Sequence, residues 1–257
     1  MTEFSAQSFP LLSQHSPHWE FLPVVDSTNR YLKDSWQGYP NYSAVFSLNQ
    51  TDGRGRRGRK WLSVPGETLA MSILVPISSQ TPHKGILPLI AGAAVLDALR
   101  ELGIEHSEMK WPNDILVRGR KISGVLCETL GAKFALVGLG INLRSTHSSL
   151  NCEDVVSLQE CGLAVENLLD PLLARIVELL SHYWAGGQEP MGAKSAQDFF
   201  GSRMGTIGRR VHIFQDEGHQ WCGVAQGLDE SGRLLVRPDS GEEARALFSA
   251  DVEHLRE

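Results

Sequence analysis

The chain has only four cysteines, Cys127, Cys152, Cys161 and Cys222, and no two of them stand in C-x-x-C spacing. That scarcity argues against a disulfide framework and against a zinc site of paired thiolates, and suits reduced thiols in a cytoplasmic protein. Long apolar runs are also missing: the longest, residues 86–96, contains Pro88 and is too short to span a bilayer. The opening MTEFSAQSFPLLSQHSPHWE lacks the basic start and apolar core of a secretory leader. There is no excess of positive charge. With 24 Lys and Arg against 30 Asp and Glu, the formal charge is −6, so no general attraction to nucleic acid or anionic membrane is expected, and any anion site must be local. Repeats and low-complexity blocks are absent. What remains, 42% apolar and 21% charged in 257 residues, is a soluble globular protein large enough to bury a real core.

Along the chain, residues 1–20 carry no sustained period and read as a lead-in. Ser27 and Thr28 precede NRYLKDSW, a helix start with a hydroxyl cap. Strands are expected at YSAVFSLNQ (42–50) and TLAMSILVP (68–76). Leu89, Ile90, Ala93, Leu96 and Leu99 keep the three-and-four spacing of a helix that ends near Gly103. EMKWP, DILV, KISGVLCETL and FALVGLGINL follow as short strands joined by tight turns, which favours a mixed or antiparallel sheet over repeated βαβ units. Residues 144–163 read as a long polar loop of the kind that often serves as a lid. Leu169, Leu172, Leu173, Ile176, Leu180 and Tyr183 then mark an amphipathic helix. Beyond it RRVHIF, QWCGVAQGLD and GRLLVRP suit a small all-β barrel. The expected fold is α+β: a main domain over 21–204 with a mixed or antiparallel central sheet and flanking helices, and a β-barrel domain over 205–257.

The charge that is present is concentrated. Five of the 24 basic residues lie in the ten from Thr51 to Lys60, beside one acid, Asp52. In this segment Gly53, Gly55 and Gly58 spell G-x-G-x-x-G, yet a dinucleotide loop must open a helix, and here RKWLSVPGE leads into a Pro-Gly turn. The protein-kinase version wants valine where Lys60 stands. GQEPMGAKS, residues 187–195, misses a P-loop by one inserted residue and has no strand before it. The arginine loop instead reads as flexible backbone presenting fixed, planar cations to a small anion. In KWPND (110–114) a cation, an aromatic, a proline, an amide and a carboxylate stand together, and Lys121 follows seven residues after Asp114, then Gly124. If Asp114 and Lys121 flank a hairpin turn, they face one pocket. GLGINL ends at Asn142, although glycines in a strand can mark only close backbone contact.

These segments, with DSTN (26–29) and Q-x-x-G-R-G-R-x-G-R-x-W (50–61), occur in the order of the biotin protein ligases, which the chain resembles from about residue 20 to its C-terminus. The resemblance implies a two-step reaction: biotin and ATP give biotinyl-AMP and pyrophosphate, and a lysine of a biotin carboxyl carrier protein attacks the mixed anhydride. It implies that Ser27, Thr28, Asn29 and Gln50 hold the biotin head group, with Arg54, Gly55 and Arg56 closing over it. Lys121 would hold the biotin carboxylate and then the acyl phosphate, Asn113 and Asn142 would lie on the nucleotide side, and Trp61 would pack on adenine. Arg54 and Arg56 would neutralise carboxylate and phosphate together. Asp114 would meet the incoming lysine. Mg2+ would accompany the nucleotide, with no metal ligand assigned to the protein, and the two charged-loop lids would order on biotinyl-AMP. Bifunctional members carry a winged-helix domain ahead of DSTN. Only residues 1–25 precede it here, so the expectation is a monofunctional ligase that binds no operator DNA and no membrane. Homodimers through the sheet edge are common among such ligases. Two rivals remain at this level: a lipoate or octanoate ligase on the same fold, although no RR-x-x-G-G-G with a His-Asp pair is present, and an RNA-binding module using the Arg/Gly loop.

Overall fold

The structure, a computed structural model, describes residues 6–77, 84–144, 154–184, 195–215 and 219–255. The alternating runs form a seven-stranded sheet from β1 (Trp19–Phe21), β2 (Ala44–Ser47), β3 (Thr68–Pro76), β4 (Ser107–Lys110), β5 (Asp114–Val117), β6 (Arg120–Leu130) and β7 (Phe134–Asn142), ordered β1-β2-β3-β7-β6-β5-β4. β1 and β2 run parallel, and each other neighbouring pair is antiparallel. The sheet is therefore mixed, as the short strands and tight turns led one to expect.

Helices cover the two faces unequally. α3 (Leu87–Glu101) and α4 (Leu169–Tyr183) pack on one face, where Leu89, Ile90, Leu96, Leu173 and Ile176 join Ala135, Val137, Leu139 and Ile141 of β7 in the main core. α2 (Thr28–Ser35), capped by Ser27, whose side chain accepts from the Arg30 amide at 3.4 Å, packs on the other face through Leu32 against Val45, Leu74 and Leu136. Period two thus sends odd-numbered residues of β7 to the core and even-numbered ones to the α2 face. Past Leu136 those even positions are Gly138, Gly140 and Asn142.

Two segments differ from the sequence expectation. Residues 6–20 are tied down rather than loose around α1 (Leu12–His15): Phe9 and Leu12 are buried in the main core, and the Asp170 carboxylate accepts from the Leu11 and Leu12 amides at 3.0 and 2.8 Å. Within the 144–163 loop, residues 145–153 lie outside the described residues, as do 187–194 of the P-loop-like stretch. The second half of that loop is packed, with Val156 and Leu158 buried and the Lys121 and Val156 amides donating to Asp154 and Lys121 carbonyls at 2.8 and 2.9 Å.

Beyond α5 (Ala196–Phe200), β8 (Arg210–Phe214), β9 (Gln220–Leu228), β10 (Leu234–Pro238), β11 (Arg245–Leu247) and β12 (Asp251–His254) form a separate five-stranded antiparallel sheet, ordered β11-β10-β9-β8-β12. The tryptophan of KWPND joins it to the main sheet. Trp111 is buried, its indole N–H donates to the Gly232 carbonyl at 3.0 Å, and its amide donates to Thr206 Oγ1 at 2.9 Å. Thr206 Oγ1 also lies 3.0 Å from His254 Nε2, while Arg209, held by Glu108 at 2.8 Å, approaches His254 Nδ1 at 3.2 Å. Since arginine only donates, Nδ1 must accept and Nε2 must carry the proton, so the ring is neutral here. Burial first, then the Arg209 and Lys110 charges, push its pKa down from 6.5 to about 4.

An unfolded histidine takes up a proton that the folded one refuses until about pH 4. The stability it contributes is complete above about pH 6.5 and is lost as pH falls toward 4. Discounted to about 1 kcal/mol because the ring is partly exposed, the effect means that His254→Gln should remove about 2–4 °C of the Tm decline between pH 6.5 and 4. Melting curves across that range check this, and parallel declines in wild type and variant would assign the pH dependence elsewhere.

Candidate active site

On the α2 face, beyond the cover of that helix, a cavity of about 560 Å³ opens over β6 and β7. Its floor is glycine because neighbours already occupy the space. A methyl at Gly138 would come within 2.5 Å of Asn29 Oδ1, one at Gly124 would meet Trp61 and Lys121 at 3.1 Å, and one at Gly140 would run into the Trp61 ring. Register explains the grouping, since Gly124 pairs with Gly140 and Leu126 with Gly138.

One wall is a buried polar chain. Gln50 Oε1 accepts from the Thr28 amide at 2.9 Å, Ser72 Oγ lies 2.8 Å from Thr28 Oγ1 and 2.6 Å from Asn29 Oδ1, and Asn29 Nδ2 donates to Glu128 at 2.7 Å. Bonded to one another, these groups hold fixed orientations toward the cavity. Such a surface suits a polar, uncharged ring.

Opposite stands an ion pair, Lys121 Nζ to Asp114 Oδ1 at 2.6 Å. The β5–β6 hairpin turns at Arg118 and Gly119, both at positive φ, and its register shifts between Ile115 and Leu116. Leu116 pairs with Lys121 and Asp114 with Gly124, so the bulge puts residues three apart on β6 onto one face. Without that extra residue Lys121 and Gly124 would point to opposite sides. Asn113 adds a brace: its Nδ2 donates to the Val125 carbonyl at 2.8 Å, and its Oδ1 accepts from Arg56 at 3.4 Å.

The arginine segment forms the roof as a short hairpin rather than a phosphate loop. The Trp61 amide donates to the Gly53 carbonyl at 2.9 Å, Gly55 to Arg59 at 2.7 Å, and Arg57 takes the left-handed conformation with φ 56°. Arg54 and Arg56 line the cavity. Burial lowers the Arg56 pKa, against the pull of Asp251 and Asp114, which shows a desolvated cation that an anionic ligand would relieve. Six cations (Arg54, Arg56, Arg59, Lys60, Lys110, Lys121) face three carboxylates (Asp114, Asp251, Glu253) around the cavity. It attracts anions although the whole chain is acidic. Trp61 lies on the glycine floor with Lys121 Nζ 5.4 Å from its ring, and its sheltered indole N–H has no acceptor among the described residues.

Of the residues expected from sequence, the cavity brings together Ser27, Thr28, Asn29, Gln50, Arg54, Gly55, Arg56, Trp61, Asn113, Asp114 and Lys121. Asn142 stands apart. It is buried below the cavity, and its amide donates to the Lys121 and Val156 carbonyls at 3.2 Å each. Sequence reasoning missed Ser72, Glu128, Phe214 and Asp251. Ser72 and Glu128 fall on the cavity face by strand alternation, a signal available once the strands are assigned. Phe214 and Asp251 come from the C-terminal sheet and have no local pattern.

Family models match two segments: the biotin/lipoate A/B protein ligase family over residues 21–142 and the biotin protein ligase C-terminal domain over 206–255. The biotin--[acetyl-CoA-carboxylase] ligase of Mycobacterium tuberculosis is 32% identical over 254 residues, covering 93% of this chain and 90% of that protein. The chain belongs to the biotin protein ligase family. The bifunctional ligase/repressor BirA of Escherichia coli is 33% identical over 85% of this chain and 68% of its own length. Among solved structures, the Aquifex aeolicus biotin protein ligase in complex with biotin and ATP aligns with a TM-score of 0.74 at 30% identity, covering 93% of this ligase and 99% of that chain.

Proposed function

We infer that this ligase joins biotin to AMP at the expense of ATP and then transfers biotin to a lysine of a biotin carboxyl carrier protein. The observation that carries this reading is the single cavity in which the polar wall of Thr28, Asn29 and Gln50 meets Arg54, Arg56 and the Lys121–Asp114 pair. In the first step a biotin carboxylate oxygen bonds to the α-phosphorus of ATP and pyrophosphate leaves. The two anions repel until cations stand between them, and Arg54, Arg56 and Lys121 are placed for that. Ser27, Thr28, Asn29 and Gln50 take the head group. Asn113 supports the nucleotide side through Arg56, and Trp61 supplies an aromatic face for adenine. The placement of Asn142 favours a different role from direct nucleotide contact: it holds the β6 backbone under Lys121. Mg2+ would come with ATP and would supply charge neutralisation at the leaving group, and no cluster of metal-ligating side chains stands among the described residues to hold it.

Catalytic residues fall within 21–204, while 205–257 closes one side. No helix among the described residues is long and apolar enough to cross a membrane, and the scarcity of cysteine supports a cytoplasmic setting. The acidic overall charge supports action without DNA, and the edge position of β1 leaves room for pairing into a homodimer.

Biotin-dependent exchange of labelled pyrophosphate into ATP tests the reading, because it isolates adenylation from carrier recognition. Exchange with biotin, reduced about 10- to 100-fold in Arg56→Ala, is expected. Exchange with lipoate or octanoate but not biotin would replace the substrate, and silence with all three would overturn the ligase reading for this chain.

A further inference from the structure

The roof of the cavity is fastened by the other sheet. Arg57 Nη1 lies 3.5 Å from both Asp251 Oδ2 and the Phe214 carbonyl, Arg59 forms an ion pair with the same Asp251 oxygen, and Arg56 Nη2 donates to Ser249 Oγ at 2.8 Å. Asp251 and Phe214 are directly paired in the first rung of the β12–β8 ladder, so both acceptors sit at one fixed end of the C-terminal sheet. The loop's arginines are thereby divided. Arg54 and Arg56 line the cavity without an ion pair to Asp251, while Arg59, which lines it too, and Arg57 both meet that carboxylate.

We propose that Asp251 is a positioning residue for the ligation: a latch that holds the arginine loop closed, through Arg57 and Arg59, so that Arg54 and Arg56 already face the substrate anions when they arrive. The proposal deepens the adenylation reading and rests on it. A glycine-rich hairpin of like charges repels itself, and on its own would spread away from the sheet. One buttressed carboxylate offsets that repulsion while its ion pairs go to Arg57 and Arg59 and not to the two guanidinium groups, Arg54 and Arg56, that the anions need. It also gives the C-terminal sheet a part in catalysis from a distance, through the loop. Since the latch acts on the closed population and not on the reacting atoms, its loss weakens apparent binding more than turnover.

Two measurements on the full chain test the latch, one independent of activity. In the absence of substrates, trypsin should cut Asp251→Asn within residues 54–60 about 3- to 5-fold faster than wild type, with Asp251→Glu close to wild type, the size expected when a partly exposed charged pair is released. In the exchange assay, Asp251→Asn should raise KM for ATP by about 3- to 10-fold with kcat within about twofold. Arg59→Gln should have a smaller effect of the same kind, because Arg57 still reaches Asp251, and the double variant should be no worse than Asp251→Asn alone, which already removes both contacts. Unchanged trypsin cleavage in Asp251→Asn, additive effects in the double variant, or a fall in kcat and Tm at constant KM would each overturn the latch. A wild-type chain that fails to exchange pyrophosphate refutes the adenylation reading, whereas the trypsin comparison still decides whether Asp251 holds the loop.

Discussion

Lys121→Ala is expected to lower biotin-dependent pyrophosphate exchange by about 100- to 1,000-fold, the range seen when one preorganised charge-stabilising donor is deleted. The loss should exceed that of removing any other single cation, for a reason visible in the ion pair. Nζ stands 2.6 Å from Asp114, so truncation leaves a carboxylate unpaired at the place where a carboxylate and a phosphate must meet. A missing attraction becomes an added repulsion. The backbone at this position should stay as it is, because the Lys121 amide and carbonyl bond to residues 154 and 156 independently of the side chain, and Tm should change by no more than about 2 °C, the range of an exposed or half-exposed substitution. Lys121→Arg should recover part of the rate through its charge but not all of it, since a planar fork does not occupy the place of a compact ammonium. Exchange within threefold of wild type in Lys121→Ala would take this residue out of the adenylation step.

How far the sequence reveals this site depends on the length of the pattern. β3 and α4 were legible to their ends, because nine residues of strand and fifteen of helix carry enough turns of their period to be read. β1, β11 and α5, at three to five residues, carry too little. The burial of Phe9 and Leu12 illustrates the same limit: two apolar residues make no stripe, and only the distant Asp170 that accepts their turn's amides reveals why they dock. In the site, the arginine loop and KWPND were legible because the chemistry is packed into a few consecutive residues. The K-x-x-G spacing after KWPND has a meaning that only the register shows, a bulge that turns Lys121 and Gly124 to one side. Asp251 was not legible at all. Its partners are 192 to 194 residues away along the chain, and a single aspartate in a short edge strand resembles any solvated surface charge. Asn142, expected on the nucleotide side, has its side-chain amide bonded to the β6 backbone, a contact that no motif spells out.

Asp114→Asn is expected to separate the two half-reactions, sparing exchange to within about threefold while slowing transfer from biotinyl-AMP to the carrier lysine by about 100-fold or more, the usual scale for a positioned proton acceptor. The ion pair suggests the sequence of events. Before activation Lys121 neutralises Asp114, which keeps the carboxylate from repelling biotin. Once the acyl phosphate forms, Lys121 has a second anion to serve, and Asp114 is left to hold the incoming ammonium of the carrier. A carboxylate is a far weaker base than an amine, so stripping the proton beforehand is not the part of a carboxylate. Its part is to orient the amine and to accept a proton late, as the new C–N bond makes the nitrogen acidic and AMP departs. Asparagine keeps the shape and one acceptor oxygen but loses the charge that draws the ammonium in. Raising the pH supplies more free amine, so the deficit of the variant should narrow between pH 7 and 9.5 in single-turnover transfer, whereas a variant damaged in shape would keep a constant deficit. Loss of exchange together with transfer would place Asp114 in the adenylation step instead, as the partner that aligns Lys121.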